Sequence, residues 1–212
     1  MAEVARERKH TVQVAGAAEN AKRASLSADN LGNVDVVIDF TTPSSAVDNI
    51  EACVLARKPM VVGTTGWYGE LDRIRQMVEK GGTGFLHATN FSIGVNLFFD
   101  AAKTAAAALN HQYLGQIFER HHTQKKDAPS GTAATLQKII HDASRKELEI
   151  TSFREGDVVG MHELVLDSPN DTIYLCHDAK SRRGFAEGAV RAAEWLAGKK
   201  GFFDFKDVWR EV

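Results

Sequence analysis

The chain has 212 residues, long enough for one large domain or two small ones with a real core. Its hydrophobic and charged fractions, 43% and 25%, are those of an ordinary globular protein and exclude the disordered and fibrous classes. A net charge of −2 offers no basic stripe for nucleic acid, and no apolar run reaches membrane-spanning length.

The start is charged, with Glu3, Arg6, Glu7, Arg8 and Lys9, and lacks the apolar stretch of a secretory signal, so a cytoplasmic protein is expected. Residues 2–10 read as a short helix and residues 11–15 alternate like a strand. Residues 17–32 are small, polar and weakly patterned, an irregular segment. Residues 34–40 are a β-branched run that predicts a buried parallel strand. Thr41-Thr42-Pro43-Ser44 then caps a helix over residues 45–56, with Ala46, Ile50, Cys53 and Val54 inward. A second strand over residues 59–66 ends in a Gly/Thr turn. A helix over residues 71–80 carries Leu71, Ile74, Met77 and Val78 on one face and stops at Gly81-Gly82. Residues 84–88 give a third strand.

Strand and helix alternating in this way predict an α/β parallel sheet, in which ligands sit beyond the carboxyl ends of the strands. Those ends are Phe40-Thr41-Thr42, Gly63-Thr64-Thr65 and Ala88-Thr89-Asn90-Phe91. All are small or hydroxyl-bearing around the aromatics, which leaves room for a cofactor.

After Asn90 the texture changes. Residues 95–109 form an Ala-rich helix, and a strand near residues 116–119 leads into the densest chemistry of the chain. Residues 149–154, 162–166 and 171–177 alternate and read as antiparallel strands of a second sheet with helices on one face. Residues 184–197 form an amphipathic helix through Phe185, Val190, Ala193, Trp195 and Leu196.

Between residues 119 and 132 two imidazoles, His121 and His122, and two ammonium groups, Lys125 and Lys126, precede Pro129-Ser130-Gly131-Thr132 and the start of a helix. Imidazole titrates near neutrality, and a helix N-terminus presents N–H groups and a dipole that favour anions. That suits an anionic substrate that must be held, polarised and protonated. Lys126 reads as a solvated charge, Asp127 as a residue that orients the turn. His162 and His177 lie in strand-like segments and read as structural or site-edge residues. A metal is not expected, because the histidines lack carboxylate or cysteine partners at ligand spacing. Cys53 and Cys176 have no CxxC spacing and read as buried thiols in a reducing compartment.

Four stretches fall in one order: Val36-Val37-Ile38-Asp39-Phe40-Thr41, Val62-Gly63-Thr64-Thr65-Gly66, Asn90-Phe91-Ser92-Ile93-Gly94-Val95-Asn96, and His121-His122 with Lys125-Lys126-Asp127-Ala128-Pro129-Ser130-Gly131-Thr132. With Arg154-Glu155-Gly156-Asp157 and Phe185-Ala186-Glu187-Gly188 they closely resemble the dihydrodipicolinate reductase family of the diaminopimelate route to lysine, from about Val34 onward. The resemblance implies a Rossmann-like dinucleotide-binding domain over residues 1–92, completed by residues 181–212. An α+β substrate and tetramerisation domain of mainly antiparallel sheet is inserted at residues 93–180. It implies reduction of a cyclic dicarboxylate imine by NADH or NADPH in a homotetramer assembled through the second sheet. His121 matches the proton donor/acceptor and Lys125 a second proton donor. His122, Gly131 and Thr132 match substrate-binding positions, and Ser130 joins Gly131 and Thr132 in a backbone and hydroxyl grip for a carboxylate at the helix N-terminus. Gly63, Thr64, Thr65, Ala88, Thr89, Asn90 and Phe91 match segments that line the cofactor, and Phe40, at the neighbouring strand end, is expected to line it with them.

One part of the pattern departs. The family begins with a strand and a Gly-rich turn that cradles the cofactor pyrophosphate, and no G-x-x-G-x-x-G stands here. Either residues 12–18 are a degraded copy, with Glu19 and Lys22 where glycines belong, or residues 2–10 end the first helix and residues 11–15 are the second strand. The second register is preferred, because about eighteen residues between Gly16 and Val34 leave little room for a helix, a strand and their loops. It predicts a sheet without its first strand and phosphate loop. The rival expectation is then a non-catalytic relative that binds the dicarboxylate, assembles, and holds cofactor poorly.

Overall fold

The computed structural model describes residues 1–16 and 25–212. In chain order its elements are α1 (Ala2–Glu7), β1 (Val37–Asp39), α2 (Pro43–Leu55), β2 (Met60–Val62), α3 (Leu71–Gly81), β3 (Gly84–His87), α4 (Ile93–Ala105), β4 (Leu114–His121), α5 (Gly131–Ser144), β5 (Glu149–Arg154), β6 (Met161–Asp167), β7 (Thr172–Asp178), α6 (Arg183–Leu196), β8 (Gly201–Asp204) and α7 (Phe205–Val208). They fall into two compact units, one of residues Met1–Ser92 with Phe185–Val212, the other Ile93–Gly184.

The first unit is a parallel sheet of order β1-β2-β3-β8. Its strands lack a polar face because helices cover both sides. Met60, Val62 and Phe85 pack with Ala46, Ile50 and Cys53 of α2 and Ile74 and Val78 of α3. On the opposite face Ile38 meets Val190 of α6 and Val4 and Ala5 of α1. Full burial of each large apolar side chain, such as Ile50 or Phe85, stabilises by about 1.5–3 kcal/mol. α3 ends as its sequence predicts, at Gly82 with φ 62° in the left-handed region that glycine enters without penalty.

Two departures from expectation occur here. Residues 11–16 form no strand, and Val14 is 66% exposed. Alternation alone does not make a strand: among the described residues no strand pairs with this segment. The preceding α1 is nonetheless anchored, because Arg8 donates to Glu194 from two nitrogens (2.7 and 2.5 Å) and His10 Nε2 lies 2.7 Å from it. Residues 17–24, which include Glu19 and Lys22 of the first register, lie outside the described residues. The second departure is β8, which pairs with β3 without any strand having been expected. Its four residues send Phe202 onto Phe85 (ring centroids 5.0 Å) and Phe203 onto Trp195 (5.0 Å), so it is apolar on both sides and shows no period.

The second unit holds a mixed sheet of order β5-β4-β6-β7. β4–β6 and β6–β7 are antiparallel as expected, but β5 runs parallel to β4. The chain between them includes α5, a crossover that returns it to the same end of the sheet. One face is covered: Ile117, Leu164 and Leu166 pack against Phe98, Phe99 and Ala102 of α4 and Leu136 and Ile140 of α5. Cys176 sits on the other face and is exposed, against the expectation of a buried thiol, because alternation along β7 turns it away from the helices. Cys53 is buried, and burial pushes its thiol up to about 12.

Candidate active site

Period-two alternation puts Ile117, Glu119 and His121 of β4 on the same, helix-covered face. Ile117 belongs to the apolar core, whereas Glu119 and His121 carry that face beyond it as a polar end. Register supplies their neighbours: Glu119 lies opposite Ser152 of β5 and His162 of β6, and His121 opposite Arg154. The site is therefore the continuation of a core row into ionisable residues.

Glu119 is wholly buried, 0% exposed. Its carboxylate accepts hydrogen bonds from the Ser130 N–H (3.1 Å to each oxygen), the Ser152 hydroxyl (2.7 Å) and Arg154 Nη2 (3.2 Å). Burial opposes its charge, but the bonds from Ser130, Ser152 and Arg154 outweigh burial and hold it below the ordinary carboxylate value. An ionised carboxylate thus stands behind the histidines, its Oε2 3.5 Å from His121 Nδ1 and 3.8 Å from His162 Nε2. The two imidazoles meet edge to face at 5.1 Å. Burial lowers the pKa of both; for His162, with the neighbouring His121 adding to the effect, it falls to about 4.

The loop after β4 brings in the rest. Lys125 donates to both oxygens of Asp127 (2.7 and 2.8 Å), and that pairing, ahead of any turn-orienting role, keeps the Asp127 carboxyl below its ordinary value. Arg154 also donates to the carbonyl oxygens of Asp127 (2.5 Å) and Lys125 (3.4 Å), so one guanidinium ties the loop to Glu119. The Ala128–Pro129 peptide is cis. Ser130 N-caps α5, its Oγ accepting from Ala133 N–H (3.2 Å) and lying 3.1 Å from His162 Nε2. Its side chain therefore faces inward, 2% exposed, while Gly131 and Thr132 begin the helix toward solvent. His122 is half-buried, and Lys126 is exposed.

The carboxylate that the sequence reading found lacking is thus present, two residues before His121 on β4 and opposite His162 of β6. Atoms of Glu119, His121 and His162 converge within 4.8 Å, a spacing at which a metal ion can be held. Three donors already occupy the carboxylate, and one of them, Arg154, sets positive charge on it, so the cluster suits an ion pair better than a cation. Sequence reasoning missed Glu119, Ser152 and Arg154 as site residues. The signal for Glu119 was available, since Ile117, Glu119 and His121 share one parity. Ser152 and Arg154 needed the register.

In the first unit the parallel register aligns Asp39, Val62, His87 and Asp204, so the loops leaving β1, β2 and β3 emerge side by side. The buried Asp39 carboxylate ties them. It accepts from Thr41 N–H (3.0 Å) and Oγ1 (2.9 Å), Asn49 Nδ2 (2.7 Å) and Thr64 Oγ1 (2.8 Å). Phe40, Thr41, Pro43, Gly63, Thr64 and Thr65 line a shallow cavity of about 210 Å³. The Phe40 ring lies over Gly63, where a Cβ would stand 2.2 Å from it. Thr65 and Thr89 are exposed, and Ala88 is buried. Asn90 Oδ1 accepts from Ser92 N–H (2.9 Å). Phe91 is buried between Phe40 (5.9 Å) and Phe205 (4.9 Å), so its ring is core and its backbone bounds the loop.

Comparison with known proteins agrees across the chain. The family model for dihydrodipicolinate reductase, N-terminus, matches residues 2–91, and that for dihydrodipicolinate reductase, C-terminus, matches residues 94–209. The chain is similar to the 4-hydroxy-tetrahydrodipicolinate reductase of Christiangramia forsetii, 42% identical over 193 residues that cover 84% of this chain and 81% of that protein. The same-named protein of Chromobacterium violaceum is 39% identical over 199 residues, covering 84% and 74%. Among solved structures, a dipicolinate-bound dihydrodipicolinate reductase from Paenisporosarcina sp. TG-14 superposes with a TM-score of 0.70 at 26% identity, covering 82% of this chain and 73% of that one.

Proposed function

The chain belongs to the dihydrodipicolinate reductase family, and on that premise we propose that it reduces a cyclic imine dicarboxylate, with a reduced pyridine nucleotide as hydride source. The reaction is that of its curated relatives, 4-hydroxy-tetrahydrodipicolinate to tetrahydrodipicolinate in the diaminopimelate route to lysine. The observation that carries the proposal is the wholly buried, ionised Glu119 behind His121, held by the Ser130 N–H at the N-terminus of α5. A purely scaffolding relative has no use for a charge held there against burial.

The strand ends of the first unit suit the nicotinamide of NADH or NADPH. A flat ring, Phe40, lies over a glycine, and the exposed hydroxyls of Thr65 and Thr89 stand on neighbouring loops. Phe40, Gly63, Thr64, Thr65 and residues 88–91 would hold it. When bound, the reduced nicotinamide supplies a hydride to a substrate carbon.

Loss of the 4-hydroxyl group as water leaves a conjugated imine; hydride addition to it leaves an electron pair spread over the ring nitrogen and a neighbouring carbon, so one proton must follow. His121 gives that proton. Its ordinary pKa of about 6.5, lowered here by burial, makes it a ready donor whose proton is replaced from solvent. Lys125 exchanges Asp127 for a substrate carboxylate. The second carboxylate meets the backbone N–H groups of Gly131 and Thr132 at the N-terminus of α5, with His122 alongside, while Ser130 acts from within as the cap. We further propose a homotetramer assembled through the uncovered face of the second sheet, where Phe118 stacks on Phe153 (6.4 Å) and Arg120 lies over the Phe153 ring (4.6 Å).

The test follows oxidation of NADH and of NADPH by the purified chain in the presence of the cyclic imine, for the wild type and for His121→Ala and Lys125→Ala. Turnover by the wild type, reduced in each variant by roughly 10²–10⁴-fold with circular dichroism unchanged, is the expected result. Wild-type rates in both folded variants would overturn the assignment of roles.

A further inference from the structure

We propose that Glu119 is a positioning residue: its buried carboxylate holds the His121 ring with Nδ1 protonated and turned inward, so that Nε2 gives the proton to the substrate. The inference deepens the reductase reading and rests on it for the identity of the proton acceptor. Its grounds are geometric. His121 Nδ1 is buried and has no hydrogen-bond partner among the described residues, and Glu119 Oε2 stands 3.5 Å from it. An unpartnered N–H at that depth is costly, and closing the gap by about half an ångström makes a charge-assisted bond. Such catalytic hydrogen bonds are often long before substrate arrives and tighten in the complex.

Glu119 is itself immobile. The Ser152 hydroxyl and Arg154 hold Oε1, and the Ser130 N–H reaches both oxygens, which leaves Oε2 toward the imidazoles. The carboxylate sits on a central strand, two residues before His121 and on the same face. The other ring nitrogen, Nε2, runs beside Gly160, where an added Cβ would stand 3.1 Å away, so the missing side chain keeps that edge of the ring open. A carboxylate on Nδ1 fixes the tautomer and steadies the imidazolium, as in other buried carboxylate–histidine pairs. The groups that bear on His121 are Glu119 on its own strand, His162 of β6, Arg154 of β5, and Lys125 and Asp127 of the loop. Glu119 and Asp127 favour its proton, and the two cations oppose it.

The test compares the wild type with Glu119→Gln and Glu119→Asp. It reads kcat, the KM for the imine, the pH dependence of kcat/KM, and the ¹⁵N shifts of the His121 ring in labelled protein without cofactor. In Glu119→Gln, kcat is expected to fall at least about tenfold, on the way to the roughly 10⁴ lost when such a pair is broken in serine hydrolases, with KM within about threefold. The pKa on the alkaline limb falls, and the ring leaves the Nδ1–H pattern. Glu119→Asp, which keeps the charge, retains that pattern and recovers part of kcat. Should Glu119→Gln fail to fold, the Asp variant alone decides, by its ring pattern and a smaller loss of kcat. A folded variant with unchanged kcat overturns the proposal. So does a loss of kcat with tautomer and pH profile unmoved, the signature of a merely structural carboxylate. Absent wild-type turnover would instead sink the reductase reading, while the ring tautomer, read without cofactor, still decides the role of Glu119.

Discussion

Single residues show why the site has to be read in register. His121, Lys125, Gly131 and Thr132 stand within twelve positions and are visible as a motif. Glu119 was visible in principle from its parity with Ile117 and His121, but Ser152, Arg154 and His162 come from strands more than thirty residues away. No local pattern announces a cross-strand neighbour. A pH dependence follows at this scale. Burial holds His162 neutral, with a pKa of about 4 against an ordinary 6.5. Below pH 6.5 the unfolded chain takes up a proton that the folded one refuses until about pH 4. Stability is therefore full above pH 6.5 and lost as pH falls through that window, by about 3 kcal/mol from this group. His121, His87 and His177, lowered chiefly by burial as well, act in the same direction. Urea unfolding at stepped pH should show that slope, and His162→Gln should flatten it. An unchanged slope in the variant would mean that His162 is not the neutral buried group described here.

At the scale of elements, helices and strands with one strong period were legible and others were not. α3 was readable from Leu71, Ile74 and Val78 to its glycine stop, and β6 and β7 from strict alternation. β8 was not, because a strand apolar on both sides has no period. The parallel pairing of β5 was not, because alternation reports which face a residue takes and says nothing of strand direction. Residues 11–16 failed in the opposite way, alternating although no strand among the described residues pairs with them. Packing of α6 against the loop after β3 gives a test at this level. A Cβ on Gly188 would stand 1.8 Å from the Phe91 carbonyl oxygen, a backbone atom that cannot swing aside. Gly188→Ala should cost about 1–3 kcal/mol or more and lower the melting temperature by several degrees. It should also raise the KM for the nicotinamide cofactor more than that for the imine, since residues 88–91 are displaced. A variant as stable as the wild type would show that α6 does not press on that loop.

For the molecule as a whole, two compact units hold the two groups of residues proposed above: the strand ends proposed for a nicotinamide lie in Met1–Ser92 with Phe185–Val212, and His121, Lys125 and the start of α5 lie in Ile93–Gly184. No described helix is long and apolar enough to cross a membrane. The uncovered face of the second sheet carries Phe153 and Tyr174, 38% and 55% exposed, which is the proposed assembly surface. Sedimentation should report four chains, and Phe153→Glu should shift the distribution toward smaller species; a monomeric wild type would contradict the assembly. In the proposed reaction hydride and proton reach the substrate from different places, the hydride from a pyridine nucleotide and the proton through His121. Isotope tracing tests it most directly. With the transferable hydrogen of the reduced nicotinamide replaced by deuterium, the product should carry one deuterium on carbon. With unlabelled cofactor in heavy water, one solvent deuterium should enter beside it, at a rate that collapses in His121→Ala. A product without label from the nicotinamide would contradict the account.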